Sequence, residues 1–140
     1  MLTTIFQSLL LLFTLHTFVA PAPPKCSRVK HGVFILDDET SGVTIITREN
    51  DIQREENKEL GVILEDKVQW LNECTYRLIP YRVIQNNSHI DFSEDLQLEI
   101  EILEVHKEYY LQRTTSHISN MSVTKKIFIS NEKTKKKYDK

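Results

Sequence analysis

From Leu96 to Ile102 apolar and polar residues take turns, Leu96, Leu98, Ile100 and Ile102 alternating with Gln97, Glu99 and Glu101. A period of two sends successive side chains to opposite faces of an extended strand, so one row meets a core and the other meets water. At Leu103 the apolar phase slips to odd positions, as a β-bulge or bend would make it do. No segment carries a 3.6-residue apolar period over three helical turns, which leaves helices a minor role.

The same chemistry recurs along the chain. Short stretches rich in β-branched and aromatic residues are separated by polar turn signals. They place strands near His31 to Leu36, from Val43 through Ile46, at Ile52 to Asn57, at Val62 to Leu71, around Tyr76 and Leu78, at Leu96 to Ile102, at Tyr109 to Thr115 and from Val123 to Ile129. Glu49, Asn50 and Asp51 form one reversal, Lys58 to Gly61 a second, and Asn72 with Glu73 a third. The third strand, Ile52 to Asn57, reads as polar and half exposed. Glu65 and Asp66 suggest a bulge, Pro80 implies an edge position or a strand end, and a turn of helix is expected around Ser93 to Leu96 within the long polar connection from Gln85 to Glu94. Connections this short pair sequence neighbours antiparallel. A meander of about eight twisted strands curls and closes, because closure removes exposed edges and buries the inner row. The expected fold class is therefore all-β, an antiparallel meander forming a barrel or strongly curved sheet, with a two-sheet sandwich as the alternative.

Ile5 to Val19 is almost continuously apolar, and no charged side chain precedes Lys25. A largely apolar stretch of roughly 15 residues suits a secretory h-region better than a bilayer span of about 20. Residues 1–22 are accordingly read as a signal peptide, with an uncleaved anchor as the competing reading, and export to the periplasm, cell envelope or exterior follows. Residues 23–131 suffice for a single β domain. Residues 132–140 hold five lysines against Glu132 and Asp139 and read as a solubilising, frayed terminus. The formal net charge of −2 thus sits on an acidic body that repels phosphate, and no nucleic-acid partner is expected.

The two cysteines, Cys26 and Cys74, form an even pair that an oxidising compartment would join. Closing that loop would stabilise the domain by roughly 4 kcal/mol in the chain-entropy model. Acylation of Cys26 and a nucleophilic Cys74 are the alternatives; Pro23, Pro24 and Lys25 do not make a lipobox, and no local signature supports a thiol nucleophile.

Catalytic motifs are sparse. The glycines, Gly32, Gly42 and Gly61, lie far apart, which excludes a glycine-rich phosphate loop. Thr40, Ser41 and Gly42 do not make a serine-nucleophile elbow. His89 and Asp91 could share a strand face as metal ligands, but no third ligand accompanies them, and Glu99 with Glu101 belongs to a solvated row. No cofactor is expected. Trp70, Tyr76, Tyr81, Tyr109 and Tyr110 could line a barrel mouth and present polar tips to a small apolar ligand, with Trp70, Tyr76 and Tyr109 the foremost candidates. Asn86-Asn87-Ser88 and Asn120-Met121-Ser122 match the N-glycosylation acceptor pattern.

Gly32-Val33-Phe34, Thr44 to Arg48 followed by Gln53-Arg54-Glu55, and Trp70 to Leu78 together resemble a group of small exported bacterial proteins of unassigned function with a lipocalin-like build. The resemblance covers roughly Cys26 to Thr115 and implies pairing of Cys26 with Cys74. Thr47 stands between Ile46 and Arg48 where the pattern has Arg directly after the second Ile, which would alter the hairpin register. The expectation for function is a non-enzymatic exported binding or structural module, its partner a small apolar ligand or an envelope protein. The competing expectation is an exported enzyme whose site lies around His89, Asp91 or the tyrosines.

Overall fold

A computed structural model of the protein describes residues 20–138. The proposed signal segment lies outside the described residues except for its last three, and so do the two residues at the C-terminus.

The chain forms eight antiparallel strands in sequential order that close into a barrel. They are β1 (Gly32–Asp38), β2 (Gly42–Glu49), β3 (Ile52–Asn57), β4 (Val62–Trp70), β5 (Thr75–Asn86), β6 (Leu98–Val105), β7 (Tyr109–Ser116) and β8 (Ser122–Ile129), preceded by a 3-10 turn at Cys26–Val29 and followed by α1 (Glu132–Tyr138). The turn chemistry explains the hairpins. Asn50 and Asp51 both take positive φ, as a two-residue hairpin turn demands, and Glu49 pairs directly with Ile52 across it. Gly61 has φ +61, and a Cβ there would come within 2.8 Å of the Asn87 Cβ. The two segments are tied by the Asn87 amide donating to the Gly61 carbonyl. The β2–β3 ladder runs without a shift from Thr44 to Glu49, which puts Arg48 on the same face as Thr44 and Ile46.

Two irregularities shape the wall. The β4–β5 register shifts between Ile63 and Leu64 and again between Glu65 and Asp66, where Ile84 and Tyr81 are the extra residues on β5. The bulge expected at Glu65 and Asp66 is thus present, with its surplus residue on the opposite strand. The β6–β7 ladder shifts between Ile102 and Glu104, around the phase slip at Leu103. Strand β5 continues through Pro80 because its first part alone pairs with β6, from Thr75 to Leu78. Beyond that point the missing Pro80 N–H lies on an edge, where it costs no ladder bond. The opposite seam is also short. β1 meets β8 at Phe34 and Ile35 only, and the closure is extended by Ser130 donating to Val33 and by the Lys125–Asp38 ion pair.

Phe34, Ile46, Val68, Tyr76, Leu78, Ile100, Ile102, Tyr110 and Ile127 fill one end of the barrel. Cys26 and Val29 join them, and the Cys26–Cys74 disulfide pins this segment across that end. The outward face bears the ion pairs Arg54–Glu65, Arg77–Glu99 and Arg113–Glu101. Such charged pairs suit contact with water. The lysine-rich terminus, expected to fray, instead forms α1, where Lys137 and Tyr138 both hydrogen-bond to the Asp37 carboxylate.

Candidate functional site

Strand β3 determines the interior. Its inward row is Gln53, Glu55 and Asn57, so the strand that reads as polar and half exposed directs three polar side chains into the barrel. Buried polar groups demand partners. Asn57 is fully occupied, its amide donating to the Ser41 carbonyl and the Thr44 hydroxyl while its oxygen accepts from the Leu60 N–H. Gln53 accepts from the Arg48 Nε and donates to Glu55 at 2.6 Å.

Arg48 is almost wholly enclosed in the sealed end. Its guanidinium donates to the Val29 carbonyl, the Gln53 oxygen and the hydroxyls of Tyr76 and Tyr110, and stacks 4.9 Å from the Phe34 ring and 4.7 Å from the Tyr76 ring. Burial opposes its charge, but the surrounding Tyr76, Tyr110 and Glu55 outweigh that cost and leave its pKa above the ordinary value. The Tyr76 and Tyr110 hydroxyls are pushed up, chiefly by burial. These groups form a plug that closes the bottom of the barrel, with Gln53 as the link between Arg48 and Glu55.

Above the plug the barrel is hollow. Where the second half of β5 parts from β6, the connection 87–97 crosses the gap, and behind it lies a cavity of about 700 Å³. Leu64, Leu78, Leu98, Phe92 and Leu96 supply its apolar wall. A second recess of about 240 Å³, towards Thr44, Asn57 and Leu60, shares Glu55, Leu64 and Phe92 with the first, so the two are lobes of one lumen. A volume of this order suits a ligand of several hundred daltons.

Glu55 stands between the lobes. It lies deep among protein atoms yet keeps part of its surface open, and that part faces the lumen. Burial raises its carboxyl pKa, opposed by the Gln53 hydrogen bond and the Arg48 charge. Asp66, inward on β4 opposite Gln53 and Pro80, is pushed up to about 6, first by burial and then by the charge of Glu55. Nearer the mouth Glu65 is held below the usual range by hydrogen bonding to Arg82, with Arg54 assisting.

No protein-family model, curated protein or solved structure matches this chain.

The structure places the sequence candidates unevenly. Cys26 and Cys74 are joined, with S–S 2.05 Å. Trp70, Tyr76 and Tyr109 do not line the lumen. Trp70 packs on Tyr76 at the sealed end, with Lys30 over its ring, and Tyr76 is spent on Arg48. Tyr109 stacks on His106 beside Lys126. The reason is positional: Trp70 and Tyr76 flank the β4–β5 turn and Tyr109 begins β7, all at the end that the 3-10 turn covers. Among the tyrosines named as candidates, Tyr81 alone reaches the cavity, at the bulge. His89 and Asp91 are exposed on the connection 87–97 and are not among the cavity-lining residues. Glu55, Asp66, Leu64 and Phe92 line the lumen without a motif that marks them in the sequence. A strand period through Gln53, Glu55 and Asn57 was the available signal, but a polar row gives no hint that it points inward.

Proposed function

We propose that the protein is an exported, non-enzymatic binding module that holds a small, largely apolar molecule in the lumen of its barrel, in the manner of the lipocalin-like proteins it resembles. The observation that carries this reading is the cavity of about 700 Å³ behind the parted β5 and β6 strands, walled by leucines and Phe92. Transfer of apolar surface into such a wall is favourable by about 25 cal/mol per Å² before the costs of association. The disulfide supports export, because such bonds persist in oxidising compartments. The apolar N-terminal segment from Ile5 to Val19 supports it independently.

Native mass spectrometry of the protein recovered from its own host tests the reading. One equivalent of an apolar small molecule retained by the folded, disulfide-bonded chain is the expected result. Repeated recovery of the empty protein that also fails to take up a neutral hydrophobic dye would overturn it.

A further inference from the structure

The cavity wall is unequal in charge. Four residues around its larger lobe are acidic, Glu55 and Asp66 on the inner face and Glu65 and the exposed Glu94 at the rim, with Arg82 as the one basic residue among them. Arg82 is already committed to Glu65, which also holds Arg54. The buried cation of the barrel, Arg48, is turned away from the lumen by its bonds to Val29, Gln53, Tyr76 and Tyr110. Lys125, near the other seam, is bound to Asp38.

With Glu65 paired and Glu94 exposed on the connection 87–97, two carboxylates are left inside the lumen. Glu55 has Gln53 on one oxygen, and its other oxygen has no protein donor among the described residues. Asp66 has neither a hydrogen bond nor an ion pair to any described side chain or amide beyond its strand ladder. Unpaired carboxylates in a partly dry cavity are unfavourable, and both are raised in pKa by that burial. A donor with a positive charge relieves both at once, whereas a carboxylate, sulfate or phosphate head would face repulsion.

Resting on the proposed function, we infer that the lumen takes an amphiphile with an apolar tail and an ammonium head, the head held by Glu55 and Asp66 and the tail by Leu64, Leu78, Leu98 and Phe92. An ammonium has three N–H donors, enough to reach the free Glu55 oxygen and Asp66 together. Charge-assisted hydrogen bonds are the stronger kind, and their directionality makes the head group, more than the tail, the determinant of choice.

The test uses the full, disulfide-bonded protein loaded with the neutral dye N-phenyl-1-naphthylamine at pH 7.5. Dodecylamine, dodecanol and dodecyl sulfate, each below its micelle concentration, are titrated as displacers. The expected order is dodecylamine tightest, by roughly tenfold or more over dodecanol, with dodecyl sulfate weakest. In Glu55→Gln and Asp66→Asn, each checked for the native circular dichroism spectrum, the preference for dodecylamine over dodecanol shrinks by at least threefold. Dodecanol binding as tightly as dodecylamine to the unaltered protein overturns this inference and leaves the apolar-ligand reading standing. Failure of the dye and of all three alkyl compounds to bind overturns both.

Discussion

Replacing Arg48 by Met should remove the plug while keeping most of its volume. The guanidinium makes four hydrogen bonds inside the sealed end, to the Val29 carbonyl, the Gln53 oxygen and two tyrosine hydroxyls. Tyr76 and Tyr110 can partner each other when Arg48 is gone, so the carbonyl of Val29 and the amide oxygen of Gln53 are the acceptors left stranded. Each stranded acceptor costs about 1–3 kcal/mol. Glu55 also loses the positive charge that opposes its burial. Relief of the guanidinium's own desolvation offsets part of this, and loss of one member of a buried charged cluster costs roughly 3–5 kcal/mol in comparable cases. We therefore expect a net loss of about 3–4 kcal/mol and, for a domain of this size, a fall in Tm of about 15 °C. Urea unfolding followed by the fluorescence of Trp70, the single tryptophan, reads the change from beside Tyr76. Arg48→Lys keeps the charge but lacks the fork needed for the same acceptors, so it should recover less than half of the loss. Adding Glu55→Gln should cost less in the Arg48→Met background than in the parent, by about 1 kcal/mol, since the charge it removes is then uncompensated. If Arg48→Met is neutral or stabilising, the polar cluster does not hold the closed end and the reasoning fails.

Three further outcomes follow from the same geometry. Asp66, raised to about 6 from a usual 3.8, keeps its proton in the folded state across a window where the unfolded chain has lost it, so its contribution to stability declines as pH rises from about 4 to 6. Asp66→Asn should flatten that part of the pH–stability curve and stabilise the protein at pH 7 by about 1 kcal/mol, discounted because the group is partly solvated; a loss of stability would contradict it. Reduction of the disulfide, or replacement of both Cys26 and Cys74 by Ser, should cost about 4 kcal/mol in chemical denaturation, from a loop separation of 48 residues. Gly61→Ala should destabilise by about 1–3 kcal/mol, because the added methyl meets Asn87 and the backbone sits at φ +61. Its hydrogen-exchange protection should fall first around Asn87, where the connection over the cavity begins.

The strand plan was legible because the residues themselves alternate and turn residues punctuate them. Ile52–Asn57 falls where the turn signals place it, and the phase slip at Leu103 marks a true ladder irregularity. Pro80 was legible as an edge signal, and β5 has that edge beyond Leu78. What the pattern could not convey was which face of β3 points inward, since Gln53, Glu55 and Asn57 are no more apolar than Arg54 and Glu56. That choice is fixed by ladder partners on β2 and β4, as Arg48 faces Gln53 and Asp66 lies opposite it. The aromatics misled for a related reason. Their amphipathic rings fit a ligand site in principle, but their positions near the covered end make Trp70 and Tyr76 parts of the closure. The helix at Glu132–Tyr138 lacks an apolar stripe; Asn131 caps it by accepting from the Lys133 and Thr134 amides, a local device the charge run concealed.

The decisive question is whether ligand enters the lumen. Amide and methyl NMR spectra of the isotope-labelled protein, recorded as N-phenyl-1-naphthylamine is titrated to saturation, would locate it. The largest shifts should fall on Leu64, Leu78, Leu98 and Phe92 with one-to-one stoichiometry, while the signals of Val29, Tyr76 and Tyr110 stay nearly fixed. Shifts confined to exposed residues away from the lumen, such as Ile118, Met121 and Val123, or a titration that never saturates, would contradict it.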